Sequence, residues 1–236
     1  MRLRVLDTSE AVAGVAADAV AAAVAARPAA VLALPTGRTP IPLYDALAAR
    51  HEKGAVDLSG ARGFNLDELV LPPGDPRTFR SYMERHAWGR TGLKRERCAI
   101  PDGGAPDLEA ECRRYEAALE AAGGLDLAIL GVGADGHVAY NMPGPVTLAT
   151  HVTRLPDGLA ASLSIPPESW PLRAVTMGIG TIRDARALLV LATGAAKATA
   201  VRALVRGPED PRWPCSFLSR HPDMEVLLDP GAASAL

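Results

Sequence analysis

Residues 125–143 read LDLAILGVGADGHVAYNMP, and this stretch decides the fold. Leu125, Leu127, Ala128, Ile129 and Leu130 make the short apolar run expected of a strand covered on both faces. Gly131, Gly133 and Gly136 then permit a tight turn, with Asp135 and His137 two residues apart inside it. Asn141, Pro143, Gly144 and Pro145 keep a long helix from following. Open α/β sheets bind ligands outside the carboxyl ends of their strands. Chemistry is therefore expected at this carboxylate–imidazole turn.

Strands and helices alternate on either side of it. Residues 7–27 read as a helix capped by Asp7 or Thr8 and closed by Pro28. Residues 29–34 read as a buried strand, the turn PTGRTP (35–40) follows, and a helix runs to about Lys53 with Pro40 and Pro42 near its start. A strand at 63–66 ends in Asp67-Glu68, and residues 78–88 and 108–122 have helical spacing, the second capped by Asp107. Residues 146–171 are expected to be irregular, with prolines at 156, 166, 167 and 171. Strands at 173–177, 187–192 and 224–228 surround a helix at 181–186 and another that opens at Gly194-Ala195-Ala196-Lys197 and runs to Arg206. The expected architecture is one α/β domain over residues 1–236, a single doubly wound, mostly parallel sheet flanked by helices and Rossmann-like.

The chain has 236 residues, 48% of them hydrophobic, and a net charge of −2. That balance excludes a disordered chain and a strongly basic nucleic-acid binder. The alanine-rich amino terminus is interrupted by Asp18, Arg27 and Pro28, so neither a signal peptide nor a membrane span is expected. The three cysteines at 98, 112 and 215 lack zinc-like spacing and read as thiols of a reducing cytoplasm. No metal cluster is expected, because His51, His86, His151 and His221 show no ligand spacing and are assigned to surfaces or loops.

Several positions suit chemistry. Thr36, Gly37, Arg38 and Thr39 lie in a turn feeding a helix amino terminus, where free amides, hydroxyls and a cation would suit a phosphate. Asp67 and Glu68, at a strand end, could supply a general base. Residues 131–136 match G-x-G-x-x-G, but a dinucleotide site needs the helix that the following prolines forbid. Asp135 and His137 suit proton transfer near neutral pH, and Lys197 could close on an anion.

Five segments in order, LPTGRTPIPLY, FNLDELV, LAILGVGADGHVAYNMPG, TMGIGTIRDARALLVLATGAAKA and SFLSRHPDMEVLLD, resemble the glucosamine-6-phosphate deaminase family and its sister 6-phosphogluconolactonases. The PTG turn and the NLDE motif are closer to the deaminases than to the SGG and GDER types of the lactonases. The resemblance implies that Asp67 moves the proton between C2 and C1 of an open-chain sugar. It implies that Asp135 and His137 open the ring and handle the amine, with Thr36, Gly37, Arg38, Thr39 and Lys197 on the phosphate. The implied reaction turns glucosamine 6-phosphate into fructose 6-phosphate and ammonia, with no metal or organic cofactor. The implied partner is a small sugar phosphate rather than nucleic acid or a membrane, with self-association left open. Ending soon after LLDPGAA, the chain is expected to lack the extended tail of regulated hexameric relatives.

Two departures fall at the site. Met142 stands where the family's NEP motif has a glutamate that orients the histidine, with Glu68 and Glu168 as candidate replacements. The family's phosphate-binding arginine has no match in GLAASLSIPPESW, leaving Arg154 or Arg173 as substitutes. Lactone hydrolysis through His137 and a silent sugar-phosphate sensor are the alternative readings.

Overall fold

The computed structural model describes residues 1–167 and 170–236. Its elements run β1 (Arg2–Val5), α1 (Ser9–Ala26), β2 (Val31–Leu34), α2 (Ile41–Glu52), β3 (Arg62–Asn65), β4 (Asp67–Leu69), α3 (Phe79–His86), β5 (Cys98–Ala99), α4 (Leu108–Ala121) and β6 (Leu127–Gly131). β7 (His151–Arg154), α5 (Asp157–Ser162), β8 (Arg173–Thr176), α6 (Ile179–Arg183), β9 (Ala187–Ala192), α7 (Ala198–Arg206) and β10 (Met224–Leu228) follow.

Seven strands form a parallel sheet in the order β1-β10-β9-β6-β2-β3-β5. From β2 the chain steps outward through β3 to β5. It then returns to the other flank of β2 as β6 and proceeds to β9 and β10. The loops leaving β2 and β6 therefore diverge, and a crevice opens where the winding reverses. Both faces are covered, and β6 shows how. Leu127 and Ile129 join the core under α1, α2 and α3, while Ala128 and Leu130 join the core under α4, α6 and α7. The uninterrupted apolar run is thus period-two packing with no wet side. Each fully buried Leu or Ile contributes roughly 1.5–3 kcal/mol.

Thr8 caps α1, its hydroxyl accepting from the Ala11 amide at 3.1 Å. By length and composition alone α1 could cross a membrane. Here its small-residue stripe, Val12, Ala16, Ala17, Val20 and Val24, is buried in the core it shares with α2.

A second, three-stranded antiparallel sheet, β4-β8-β7, branches from the first. The branch point is Leu66. Its amide donates to Leu34 O in the large sheet at 3.2 Å, and its carbonyl accepts from Met177 N beside the small one at 2.8 Å. The mostly parallel, helix-flanked sheet matches expectation, and the small sheet is an addition to it. The span 146–171 was expected to be irregular, but it contains β7 and α5. Two short strands, β1 and β5, had no counterpart in the sequence reading. Every residue of β1 is exposed, so burial leaves no apolar alternation to read there.

Candidate active site

The loop after β2 is tied down by two tyrosines. The Tyr44 hydroxyl donates to Pro35 O and the Tyr82 hydroxyl to Gly37 O, each at 2.7 Å, and the rings meet edge-on at 6.5 Å. Among the described residues, the amides of Gly37, Arg38 and Thr39 donate to no protein acceptor. The start of α2 adds little, since the Ile41 amide already bonds Arg38 O at 3.3 Å and Pro42 has none to give. Anion capacity therefore lies in the loop itself rather than in the helix terminus expected from the sequence.

Asp67 and Glu68 are consecutive on β4, so their side chains leave opposite faces. Asp67 is 5% exposed and lines the crevice. Among the described residues its Oδ1 has no partner. Burial, reinforced by the Glu68 carboxylate, pushes its pKa up to about 8. Glu68 turns away, accepting from the amides of Leu69 (2.7 Å), Phe79 (2.7 Å) and Arg80 (2.9 Å). Two of these are free donors of the first turn of α3. Burial raises the Glu68 pKa, and those three hydrogen bonds oppose the rise. Glu68 is thus an anchor for α3 and does not replace the carboxylate missing at Met142. Truncation by Glu68→Ala strands three donors and is expected to destabilise the fold by about 3 kcal/mol or more, as read by denaturant unfolding.

The turn after β6 is closed by Gly133 N donating to His137 O (2.8 Å) and Gly136 N to Gly133 O (3.0 Å). Gly136 has φ +83°, and a Cβ there would approach the Trp213 ring to 2.8 Å. Asp135 Oδ1 lies 2.6 Å from His137 Nδ1 and 3.2 Å from the His137 amide. Half-burial works to raise the Asp135 pKa, but the His137 contact outweighs it and the net shift is down. A carboxylate on Nδ1 leaves Nε2 as the working nitrogen. Beyond, a turn closes with Asn141 N donating to Val138 O at 3.0 Å, and Ala139 takes φ +50°. Asn141 Nδ2 donates to Val138 O (2.9 Å) and Met177 O (2.7 Å), which pins this turn to the end of β8. Met142 is partly buried against the apolar core.

Lys197 follows β9 in a single helical turn whose Gly194 amide is held by Asp229 at 2.9 Å. Burial lowers its pKa, and Asp135 partly offsets the effect.

These parts meet in one cavity of about 230 Å³, small beside the ~300–1,000 Å³ of drug-sized sites. Thr36, Gly37, Arg38, Thr39, Asp67, His137 and Lys197 all line it, and Asp135 stands behind His137. Arg154 and Arg173 do not line it. Arg154 pairs with Asp157 at 3.4 Å, and Arg173 borders a separate groove beside Pro72 and Val152. Glu168 lies outside the described residues. Phe79 and Tyr140, together with Leu159 and Leu163 from the α5 region, complete the wall without having been singled out from sequence. Their apolar spacing resembles any short core segment. His221, assigned to a surface or loop, is in a loop but buried, with its ring nitrogens on Ala185 O and Asp223 O. No cluster with metal-binding potential occurs among the described residues.

The family described as glucosamine-6-phosphate isomerases/6-phosphogluconolactonase matches residues 6–227. A glucosamine-6-phosphate deaminase of Pseudarthrobacter chlorophenolicus is 43% identical over all of this chain and 93% of its own length. That of Streptomyces avermitilis is 42% identical over 93% of this chain and 87% of its own. The solved structure of a monomeric glucosamine-6-phosphate deaminase superposes with a TM-score of 0.94 at 36% identity, covering 100% of both chains. A 6-phosphogluconolactonase from Leishmania guyanensis, 22% identical over 98% of this chain and 97% of its own, shares the fold with a TM-score of 0.76.

Proposed function

The chain belongs to the glucosamine-6-phosphate isomerase/6-phosphogluconolactonase family, and we propose that it isomerises and deaminates glucosamine 6-phosphate, giving fructose 6-phosphate and ammonia. The observation that carries this reading is Asp67, a buried carboxylate with a free oxygen, facing the cavity that holds the Asp135–His137 pair. Removing a proton from carbon needs a base in a water-poor place, aimed at C2. Lactone hydrolysis needs only an activated water, which His137 alone could supply. The placement of Asp67 favours the carbon acid.

In this mechanism the phosphate rests on the free amides of 37–39, with Arg38 and Lys197 neutralising it. His137 Nε2 moves the proton from O1 to the ring oxygen as the pyranose opens. Asp135 fixes the imidazole's tautomer from behind and steadies the cation formed in passing. Asp67 then takes the C2 proton and returns it at C1, leaving an iminium that water cleaves to ammonia. Binding energy from the phosphate orients C2 over Asp67. One chain of 236 residues, acting as a single unit, contributes every group named. The three free thiols, among the described residues, fit a cytoplasmic setting.

Two outcomes follow for kinetics. Because Asp67 must be ionised to act, kcat/KM should rise with pH through about 8 on its acid side. The substrate's ammonium, bound beside Asp67, should bring the acid limb of kcat to lower pH. Lys197→Met should raise KM about 10- to 100-fold, the loss of a charged hydrogen bond worth ~1.5–3 kcal/mol, with a smaller change in kcat.

The reading is tested by measuring ammonia and fructose 6-phosphate formed from glucosamine 6-phosphate, with hydrolysis of 6-phosphogluconolactone assayed in parallel. Stoichiometric ammonia supports it. Rapid lactone hydrolysis without ammonia would move the chain to the sister activity.

A further inference from the structure

The chain has four tyrosines, and three commit their hydroxyls to backbone carbonyls. Tyr44 donates to Pro35 O, Tyr82 to Gly37 O and Tyr115 to Asn65 O, each at 2.7 Å. Tyr140 differs. Among the described residues its hydroxyl has no protein partner, although the residue is only 7% exposed and lines the cavity. A buried tyrosine ordinarily finds a partner for its O–H, so this one is available to a ligand.

Its position is fixed from three sides. The ring stacks on Phe79 at 5.8 Å and lies 6.1 Å from the His137 ring. Its amide donates to Thr176 Oγ1 at 3.0 Å, and Thr176 is the residue paired with Asp67 across β4 and β8. Tyr140 therefore lines the same cavity as the carbon base and the imidazole, its ring beside His137 and its backbone tied to the strand that pairs with Asp67. Burial, with Asp67 and Glu68 nearby, raises its pKa, so the phenol keeps its proton and acts as a donor.

The proposed chemistry needs such a donor. As the C2–H bond breaks, its proton goes to Asp67 and its electron pair forms the C1–C2 double bond. The carbonyl π pair moves onto O1. The proton on Asp67 returns to C1, so a different proton must reach O1. The nitrogen balances the count, since it enters as an ammonium with three hydrogens and becomes an iminium with two. During the step, negative charge stands on O1 between Asp67 and His137.

We propose that Tyr140 is a further catalytic residue, its phenol donating a hydrogen bond to O1 of the open-chain sugar as charge builds there. This rests on the deaminase reading above. A donor aimed at developing charge acts on the transition state more than on the bound substrate.

The test is Tyr140→Phe, which keeps the ring and its stacking and removes only the hydroxyl. Steady-state ammonia release is measured beside binding of the reduced substrate, the amino alcohol 6-phosphate, which has no carbonyl at C1. The expected result is a fall in kcat of about 10²-fold, with KM and affinity for the alcohol within twofold of wild type. Wild-type turnover matched within twofold by Tyr140→Phe overturns the inference alone. Equal losses in kcat/KM and alcohol affinity also overturn it, by making the hydroxyl a ground-state contact. A wild-type protein that releases no ammonia removes the deaminase reading, and this inference with it.

Discussion

Asp67→Asn is expected to lower kcat for ammonia release by about 10³-fold or more, near the upper part of the range for a lost general base, while leaving the fold intact. The amide matches the carboxylate in shape but cannot accept the C2 proton. Phosphate contacts from residues 37–39 and Lys197 are untouched, so KM should rise far less than kcat falls, by the lost attraction between the Asp67 carboxylate and the substrate's ammonium. The same substitution should have the opposite effect on stability, and the sign follows from the shift. The native carboxyl holds its proton up to about pH 8, whereas the ordinary value is 3.8. Between those limits the native state binds more protons than the unfolded state, so stability falls as pH rises. The gap corresponds to on the order of 5 kcal/mol once both states are ionised. Asparagine removes that dependence. The melting temperature of Asp67→Asn relative to wild type should therefore climb from pH 5 to about pH 8 and level off above it, and a flat difference across that window would falsify the assignment of Asp67 as a buried acid.

Gly133→Ala should be nearly as damaging to turnover, for a steric reason. An added Cβ would sit 2.6 Å from Asp135 Oδ1 and overlap His137 Nδ1. The two groups cannot keep their hydrogen bond with a methyl between them, so the imidazole loses both its tautomer control and its aim. A fall in kcat of about 10²–10³-fold is expected, together with a lowered melting temperature, because Gly133 is buried and the neighbouring side chains must shift to admit the methyl group. Asp67 and the phosphate loop are unaffected, so hydrogen exchange at C2 of an already open-chain analogue should survive. That pattern separates ring opening from enolisation.

How much was legible in advance varies with how local the cause is. Strand β6 and its turn could be read because burial on both faces forces an unbroken apolar run, and the glycines mark where the backbone turns. The phosphate loop could be read by composition, but the donors were assigned to the helix start. The occupation of the Ile41 amide by Arg38 O emerges only in three dimensions. Helix α5 was missed because it is six residues long, starts at Pro156 without a side-chain cap, and lies among prolines. The roles of Asp67 and Glu68 could not be separated from sequence. Two adjacent acids look alike until α3 is seen to take one of them. Tyr140 lay in plain view inside the motif, but its availability depends on what the other three tyrosines do with their hydroxyls.

The strand that leaves the large sheet at Leu66 and enters the small one carries a constraint on how this chain can change in length. Asp67 and Glu68 point to opposite sides only because β4 keeps its register with β8, Asp67 against Thr176 and Glu68 against Val175. Deleting Leu66 would turn each later side chain to the other side. Glu68 would then take the cavity-facing position of Asp67, and Leu69 the position that anchors α3. No compensating point substitution repairs such a frameshift of faces, so evolutionary insertions and deletions should be absent there. They should collect instead at the exposed turn around Gly74, where an extra residue adds little more than loop entropy.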